Sequence, residues 1–281
     1  MSPDAPDASL DWAGRWRALI AGRDTQRGVA RRDGDPERDP WTSRADRFAA
    51  HSEHLPADDP LLAHLRVEIR PGDTLLDVGA GTGRYALPLA ALARRVIAVE
   101  PSPAMRRHLA ARVAAAGAGN VAIVGAPWPE AETEMADVTL CAHVVYGVRE
   151  IAPFLRELDR RTRRLCLIGI RVDQHPGLHE LARALFGEER VCQPALLHLY
   201  NVLAELGIIA DVRVLPASGG FRFAEREEAV AHYRDRLRVP PAGPIEEHLR
   251  AILAERLVRE ADGRWRWPGQ SPRNAIVSWA K

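Results

Sequence analysis

From residue 74 onward, short continuous apolar runs alternate with segments whose apolar residues recur every three or four positions. The runs are "TLLDVG" (74–79), "RVIAVE" (95–100), "NVAIVG" (120–125), "ADVTLCA" (136–142) and "RLCLIGIRV" (164–172). Runs of this length bounded by turn residues predict strands buried on both faces. Between them, "RYALPLAALA" (84–93), "PAMRRHLAARVAAAG" (103–117) and "EIAPFLRELDRRT" (150–162) carry the helical period. Strands separated by helices build a mostly parallel sheet with helices on both faces, the doubly wound α/β class.

The flanks follow other patterns. Residues 9–20 put Trp12, Trp16, Leu19 and Ile20 on one helical face, and 22–40 are polar and broken by Gly and Pro. That stretch is expected to be a mobile connection. Helical patterns follow at 41–54 and 59–69, then at 177–186 and 194–206 before an apolar run at 210–217. Two more, 224–237 and 245–259, precede "GRWRW" (263–267) and "NAIVSWA" (274–280), which predict a closing hairpin. The expected organisation is N-terminal helices, a connection and a candidate lid over 1–57, and a ligand-binding core over 58–217. A helical insertion capping the substrate is expected over 218–262, and a hairpin completing the sheet over 263–281.

Gly79, Gly81 and Gly83 sit between the first strand of the core and its first helix. A strand-to-helix turn at the carboxyl edge of a parallel sheet is where such folds bind ligands. Glycine there lets the backbone turn sharply and approach a ligand closely. Glu100 ends the next strand, about 20 residues on, where an acidic group meets ribose hydroxyls. Its two oxygens are able to accept both the 2′ and the 3′ hydroxyl. An adenosine-like ligand is therefore indicated. The spacing is G-x-G-x-G, with Arg84 where the dinucleotide fingerprint G-x-G-x-x-G wants its third glycine, and no P-loop motif occurs.

With the acid Asp77 in place, "DVGAGTG" matches the first motif of the class I S-adenosylmethionine-dependent methyltransferases, and the stretch 74–172 resembles that family. The resemblance implies a seven-stranded Rossmann-like sheet whose last strand runs antiparallel. It implies S-adenosylmethionine as cofactor and S-adenosylhomocysteine as product. Gly79, Gly81 and Gly83 would line the methionyl part, with Asp77 beneath it and Ala80 in the same turn. Glu100, followed by Pro101, would hold the ribose, and Met105 would lie against the adenine. Many relatives carry an acid after the third strand for the adenine amino group. Here the segment is "VGAPWP", so Ala126 and Trp128 stand near that position. Trp128 either stacks on the adenine or plugs the core beneath a loop.

Methyl transfer is an in-line displacement, so alignment dominates and a base is needed only when the acceptor must lose a proton. The fourth strand ends in "CAHVVYGV", putting His143 and Tyr146 at the ligand edge. His143 has two readings, a general base or a residue that shapes the cofactor pocket through its backbone; the second is preferred. Tyr146 orients an acceptor or packs on the next helix. Arg171, Asp173 and His175 follow the fifth strand, and His198 lies in the helical segment 194–206. Arg171 and His198 are candidate substrate contacts, although a solvated loop and a core helix are the plainer accounts.

Composition narrows the partners. Lys+Arg (39) nearly equals Asp+Glu (38), and a net charge of +1 makes no case for a polyanionic partner. The basic run "RELDRRTRRL" (156–165) ends a helix and is read as a solvated face. Cys141, Cys166 and Cys192 lack metal-ligand spacing, and the ten histidines form no H-E-x-x-H, so no metal is expected. An acidic start and the lack of a long apolar run favour a cytoplasmic protein without a membrane partner. Of the seven tryptophans, Trp265, Trp267 and Trp279 fall in the expected hairpin, while Trp41, with Phe48, is placed in the lid. The function expected is a small-molecule methyltransferase. The alternatives are an RNA or protein methyltransferase and a non-catalytic cofactor-binding protein of the same fold. A nicotinamide-dependent oxidoreductase is disfavoured by Arg84 and the absent fingerprint.

Overall fold

The computed structural model describes residues 11–26, 39, 41–42, 45–52, 59–172, 176–187, 189–216, 221–269 and 273–281. Its first two strands are β1 (Thr74–Val78) and β2 (Arg95–Val99). The next four are β3 (Val121–Val124), β4 (Ala136–Ala142), β5 (Thr162–Arg171) and β6 (Asp211–Val214). Three two-residue strands follow, β7 (Arg222–Phe223), β8 (Val258–Arg259) and β9 (Trp265–Arg266), then β10 (Asn274–Ala280). The central sheet is seven-stranded in the order β3-β2-β1-β4-β5-β10-β6. The pairs from β3 to β5 are parallel, and β10 runs antiparallel to both β5 and β6. This is the doubly wound sheet that the sequence pattern predicts, with the Rossmann-like seven strands and antiparallel last strand that the family resemblance implies. The winding reverses between β1 and β4, so the carboxyl ends of those two strands flank the crevice where open α/β sheets bind ligands.

Every residue of β1 is buried, as an inner strand covered on both faces requires. On one face lie α1 (Trp12–Gln26), α6 (Ile151–Arg161) and α8 (Leu196–Glu205), which bring Trp16, Ile20, Leu155 and Leu199 against Val78 and Ile168. On the other lie α3 (Pro60–Glu68), α4 (Ala86–Ala90) and α5 (Pro103–Ala115), with Leu65, Leu89 and Leu109 against Leu75 and Leu140. The starts of α3 and α5 were written locally. Asp59 accepts the Leu62 N–H at 2.8 Å and Ser102 accepts the Met105 N–H at 3.2 Å, each followed by a proline in the first turn. A short helix, α2 (Ala45–Ser52), packs on α5.

The expectation of a mobile connection from residue 22 needs correcting at its start. Helix α1 continues to Gln26, because its polar residues find polar partners across the fold. Asp24 accepts from Arg149 at 3.3 Å, and the Gln26 amide bonds both the Glu189 carbonyl (2.7 Å) and the Val191 N–H (2.8 Å). Residues 27–38 and 40 of that stretch lie outside the described residues.

The cap also differs from expectation. It contains α7 (Pro176–Phe186), α9 (Arg226–Leu237), α10 (Pro244–Arg256) and a small sheet in the order β7-β9-β8, around Leu181, Tyr233, Leu249, Leu253 and Trp267. "GRWRW" therefore belongs to the cap and forms no hairpin with "NAIVSWA". Ala275, Ile276 and Val277 are buried on both faces, which an inner position between β5 and β6 satisfies. Trp267 instead packs on Tyr233, ring centres 5.9 Å apart, so its apolar surface is buried within the cap. Among the described residues no helix is long and apolar enough to cross a membrane.

Candidate active site

The turn after β1 carries the ligand signature. Gly79 and Gly81 have φ of +77° and +58°, where a side chain is strained. They differ in what surrounds them. A Cβ on Gly79 would sit 2.4 Å from Val144 Cγ2, whereas one on Gly81 would meet nothing within 4 Å. Gly79 is thus glycine because the end of β4 presses on it, and Gly81 faces open space. Gly79 and Ala80 donate their N–H groups to the Val99 carbonyl at 2.8 and 3.0 Å, which ties the turn to β2. Gly83 (φ +82°) lies against Leu109 and Leu87, so it seats the turn on α5.

Two buried carboxylates stand under this turn. Asp77 is 2% exposed and takes a hydrogen bond from the Ala86 N–H. Burial, with Glu100 nearby, pushes its pKa up to about 7. Glu100, 5% exposed, accepts the Gly81 N–H through Oε2 and the Ser102 N–H through Oε1, both at 2.8 Å. Burial raises its pKa against the pull of those two N–H groups. Each oxygen has a second lone pair for a hydroxyl donor.

Asp39 completes this side of the site. The Ser102 hydroxyl donates to Asp39 Oδ2 at 2.5 Å, and Asp39 Oδ1 accepts the Trp41 N–H at 2.9 Å. Trp41 and Phe48 then stack edge to face and pack with Ala45 on Met105, which is 2% exposed. Neither Asp39 nor Ser102 was singled out from the sequence. The "SPAM" helix-start signature made Ser102 legible as a cap, but its contact with Asp39 spans 63 positions and has no local signal.

At the end of β4, His143 adopts φ +61° and donates its N–H to the Gly169 carbonyl at 2.8 Å. Its Nδ1 lies 3.1 Å from the Tyr146 hydroxyl, which accepts the Arg171 N–H at 2.8 Å. Burial pushes the Tyr146 pKa up to about 12, so the phenol keeps its proton. In the Nε2–H tautomer Nδ1 accepts the Tyr146 proton, and in the Nδ1–H tautomer the ring donates to the second lone pair of the Tyr146 oxygen. Burial, Arg171 and Arg84 together hold the His143 pKa down at about 3. With that pKa, His143 is a weak proton acceptor near neutral pH. The Arg171 guanidinium carbon sits 5.4 Å from the centre of the Tyr146 ring.

The remaining expected site residues are placed as follows. Trp128 turns its indole N–H to the Phe154 carbonyl (3.2 Å) and packs edge to face on that ring, while Ala126 packs beside it on the same core. Pro101 is exposed and its carbonyl accepts from Arg106 at 2.7 Å. His198 lies in the first turn of α8, where its Nδ1 is 3.4 Å from the Ala195 N–H. No bond joins it to the His143–Tyr146–Arg171 group. Asp173 and His175 lie outside the described residues. Among the described residues no group of three His, Cys, Asp or Glu side chains is placed to hold a metal ion.

Residues 76–170 match a family model described as a methyltransferase domain. A protein-L-isoaspartate O-methyltransferase of Methylorubrum populi is 40% identical over 26% of this chain and 37% of its own length. A dimethyladenosine transferase of Yarrowia lipolytica is 45% identical over 20% of this chain and 18% of its own. The chain thus spans well under half the length of these two relatives. Among solved structures, the YcgJ protein of Bacillus subtilis superposes with a TM-score of 0.54 at 14% identity, over 83% of this chain and 98% of that one. A SAM-dependent methyltransferase of Thiobacillus denitrificans, in complex with S-adenosyl-L-homocysteine, gives 0.50 at 18% identity, over 83% and 96%. These likenesses at low identity show the fold. Together with the "DVGAGTG" turn and Glu100 at the switch point, they make residues 76–170 a methyltransferase domain on the fold of the class I S-adenosylmethionine-dependent methyltransferases.

Proposed function

We propose that the protein transfers the methyl group of S-adenosylmethionine to a small-molecule acceptor enclosed between the sheet edge and the cap. The observation that carries this reading is the open face of Gly81 beside the buried, two-oxygen carboxylate of Glu100. A cradle with room where a Cβ would stand fits a ligand pressed against the backbone, and Glu100 fits a ribose diol. Asp77 and the Gly79–Gly83 turn would hold the methionyl part, and Met105, with Trp41 and Phe48 behind it, would border the adenine. When bound, S-adenosylmethionine supplies an electrophilic methyl group on a sulfonium.

What this chain's residues do is position and exclude water. His143 and Tyr146 fix one another at the ligand edge, and in the Nε2–H tautomer the ring offers a donor to an acceptor atom. With His143 neutral and its Nδ1 engaged, an acceptor that already exposes a lone pair suits the site better than one that must be deprotonated. The small-molecule reading over an RNA acceptor is supported by the basic run 156–165. There Arg160 and Arg161 pair with Glu157, Arg163 with Asp137 and Arg164 with Asp73, which leaves little charge for a phosphate backbone.

A thermal melt with S-adenosylmethionine, S-adenosylhomocysteine or NAD tests the reading. A ligand bound only by the native state at about 100 times its dissociation constant adds about 2.7 kcal/mol. Both sulfur nucleosides are expected to raise the melting temperature by several degrees and NAD to leave it unchanged. A shift with NAD alone would overturn the assignment.

A further inference from the structure

The cap and the sheet edge bring together three arginines from three separate elements. Arg171 ends β5 beside Tyr146, Arg190 lies in the connection between α7 and α8, and Arg236 lies in the last turn of α9. The Arg190 Nη1 is 3.5 Å from the Arg236 carbonyl, and the Arg236 guanidinium carbon is 4.5 Å from the centre of the Phe221 ring. All three are half-buried. Their charges act on one another. Burial, then Arg171 and Arg190, push the Arg236 pKa down, to about 10, against Tyr233 and the neighbouring Asp235, which raise it. Burial first, and then Arg171 at His143 and Arg190 at His179, against Glu189 in the second case, drive both imidazoles toward the neutral form.

Several other half-buried arginines of this chain meet carboxylates, while Arg106 and Arg112 bond backbone carbonyls. Arg164 meets Asp73, Arg161 meets Glu157, Arg149 meets Asp24 and Arg266 meets Glu260. Among the described residues, Arg171, Arg190 and Arg236 make no ion pair. Their neighbours in sequence, Glu189 and Asp235, are exposed. Collecting like charges in a partly dry place is unfavourable unless an anion answers them, and such arrangements concentrate at functional sites. The guanidinium fork is the side chain suited to a planar carboxylate or to phosphate oxygens. The faces of Tyr146 and Phe221, on which Arg171 and Arg236 lie, supply aromatic surface beside the charge.

Resting on the methyltransferase reading above, we propose that Arg171, Arg190 and Arg236 form the acceptor-recognition site. The acceptor is a small molecule with a carboxylate or phosphate group joined to an aromatic or apolar body. The cap then selects the acceptor by its charge, and the acceptor's anionic group supplies the ion pair that these arginines lack.

The experiment is calorimetric titration of the full chain at constant ionic strength, saturated with S-adenosylhomocysteine. The probes are benzoate, phenyl phosphate and the neutral benzamide. At least one anion is expected to bind, with at least tenfold preference over benzamide; which anion binds tighter tells carboxylate from phosphate recognition. Arg190→Gln and Arg236→Gln are each expected to weaken that anion tenfold or more while leaving S-adenosylhomocysteine affinity unchanged. Their melting temperatures should stay level or rise, because removing one of several repelling cations relieves the folded state. Benzamide binding as tightly as the anions, or both variants keeping full anion affinity, would overturn the proposal. A drop in melting temperature that accompanies the lost anion binding in both variants would overturn it too, by showing a structural role. If the wild-type chain binds no S-adenosylhomocysteine, the methyltransferase reading fails, and the same titration on the nucleoside-free chain still decides the arginine site.

Discussion

Asp77 should make the cofactor-free protein lose stability as pH rises, and the size of the loss follows from its burial. Its carboxyl is 2% exposed and its pKa is raised from 3.8 to about 7 by desolvation and by Glu100. A carboxyl whose folded pKa exceeds its unfolded value keeps its proton in the native state after the unfolded chain has released its own. Stability is therefore greatest below the unfolded pKa and falls as pH climbs toward the folded one. The full difference is about 4 kcal/mol at 1.36 kcal/mol per pH unit, an upper bound for a group coupled to a second carboxyl. Between pH 5 and pH 8 linkage assigns about 2.5 kcal/mol of it. That corresponds to a melting-temperature fall of roughly 5–10 °C for a chain of this size. Glu100, also raised, adds to the slope. His143, held at about 3, and His64, His179 and His198, whose pKa values are also lowered, oppose it. The clean quantity is thus the difference between wild type and Asp77→Asn, in which those groups cancel to first order. Melts of both proteins at pH 5 and pH 8 should show the wild type losing several degrees more than the variant. Parallel pH dependences would refute the reasoning and show that Asp77 ionises in the native state like a solvated carboxylate.

Three further outcomes follow from the same geometry. Gly79→Ala and Gly81→Ala share a left-handed backbone costing about 1–2 kcal/mol. Only the first also meets Val144, at 2.4 Å, so denaturant unfolding should show it destabilised by a further 1–3 kcal/mol or so. Gly81→Ala should fold, while its S-adenosylhomocysteine affinity, read by calorimetry, falls at least tenfold. Glu100→Gln turns one amide NH2 toward the Gly81 or Ser102 N–H and leaves a buried donor unmet, at about 1–3 kcal/mol of stability, with weakened nucleoside binding. His143→Ala should keep S-adenosylhomocysteine affinity. With its pKa held at about 3, His143 should contribute no limb near pH 6–7 to the pH profile of kcat/KM, and a limb there that vanishes in the variant would restore the general-base reading.

Much of the cofactor side was written in consecutive residues. The apolar runs from 74 to 172 become β1 to β5, with a boundary shift at β5, which begins at Thr162. "DVGAGTG" and Glu100 meet because their separation equals one β-α-β step, a spacing set by strand and helix geometry rather than by packing detail. Ser102 and Asp59 announce helix starts through side chains that bond their own next turn. Hydrophobic period and local capping act over a few positions, so the sequence by itself determined the sheet, its ligand edge and the turn on that edge.

Tertiary structure decided the rest, for one physical reason: the forces involved act between segments far apart in the chain. Whether "GRWRW" paired with "NAIVSWA" depended on which apolar core could bury its tryptophans, and Tyr233 in the cap supplied it. The reach of α1 to Gln26 depended on Arg149, Glu189 and Val191 answering its polar end. His143 carries the same letters as a general base, yet Tyr146 and the charges of Arg171 and Arg84 leave it neutral and engaged. Arg171, Arg190 and Arg236 share no spacing that a motif would record; 65 positions separate the first from the last, and folding alone makes them one charged group.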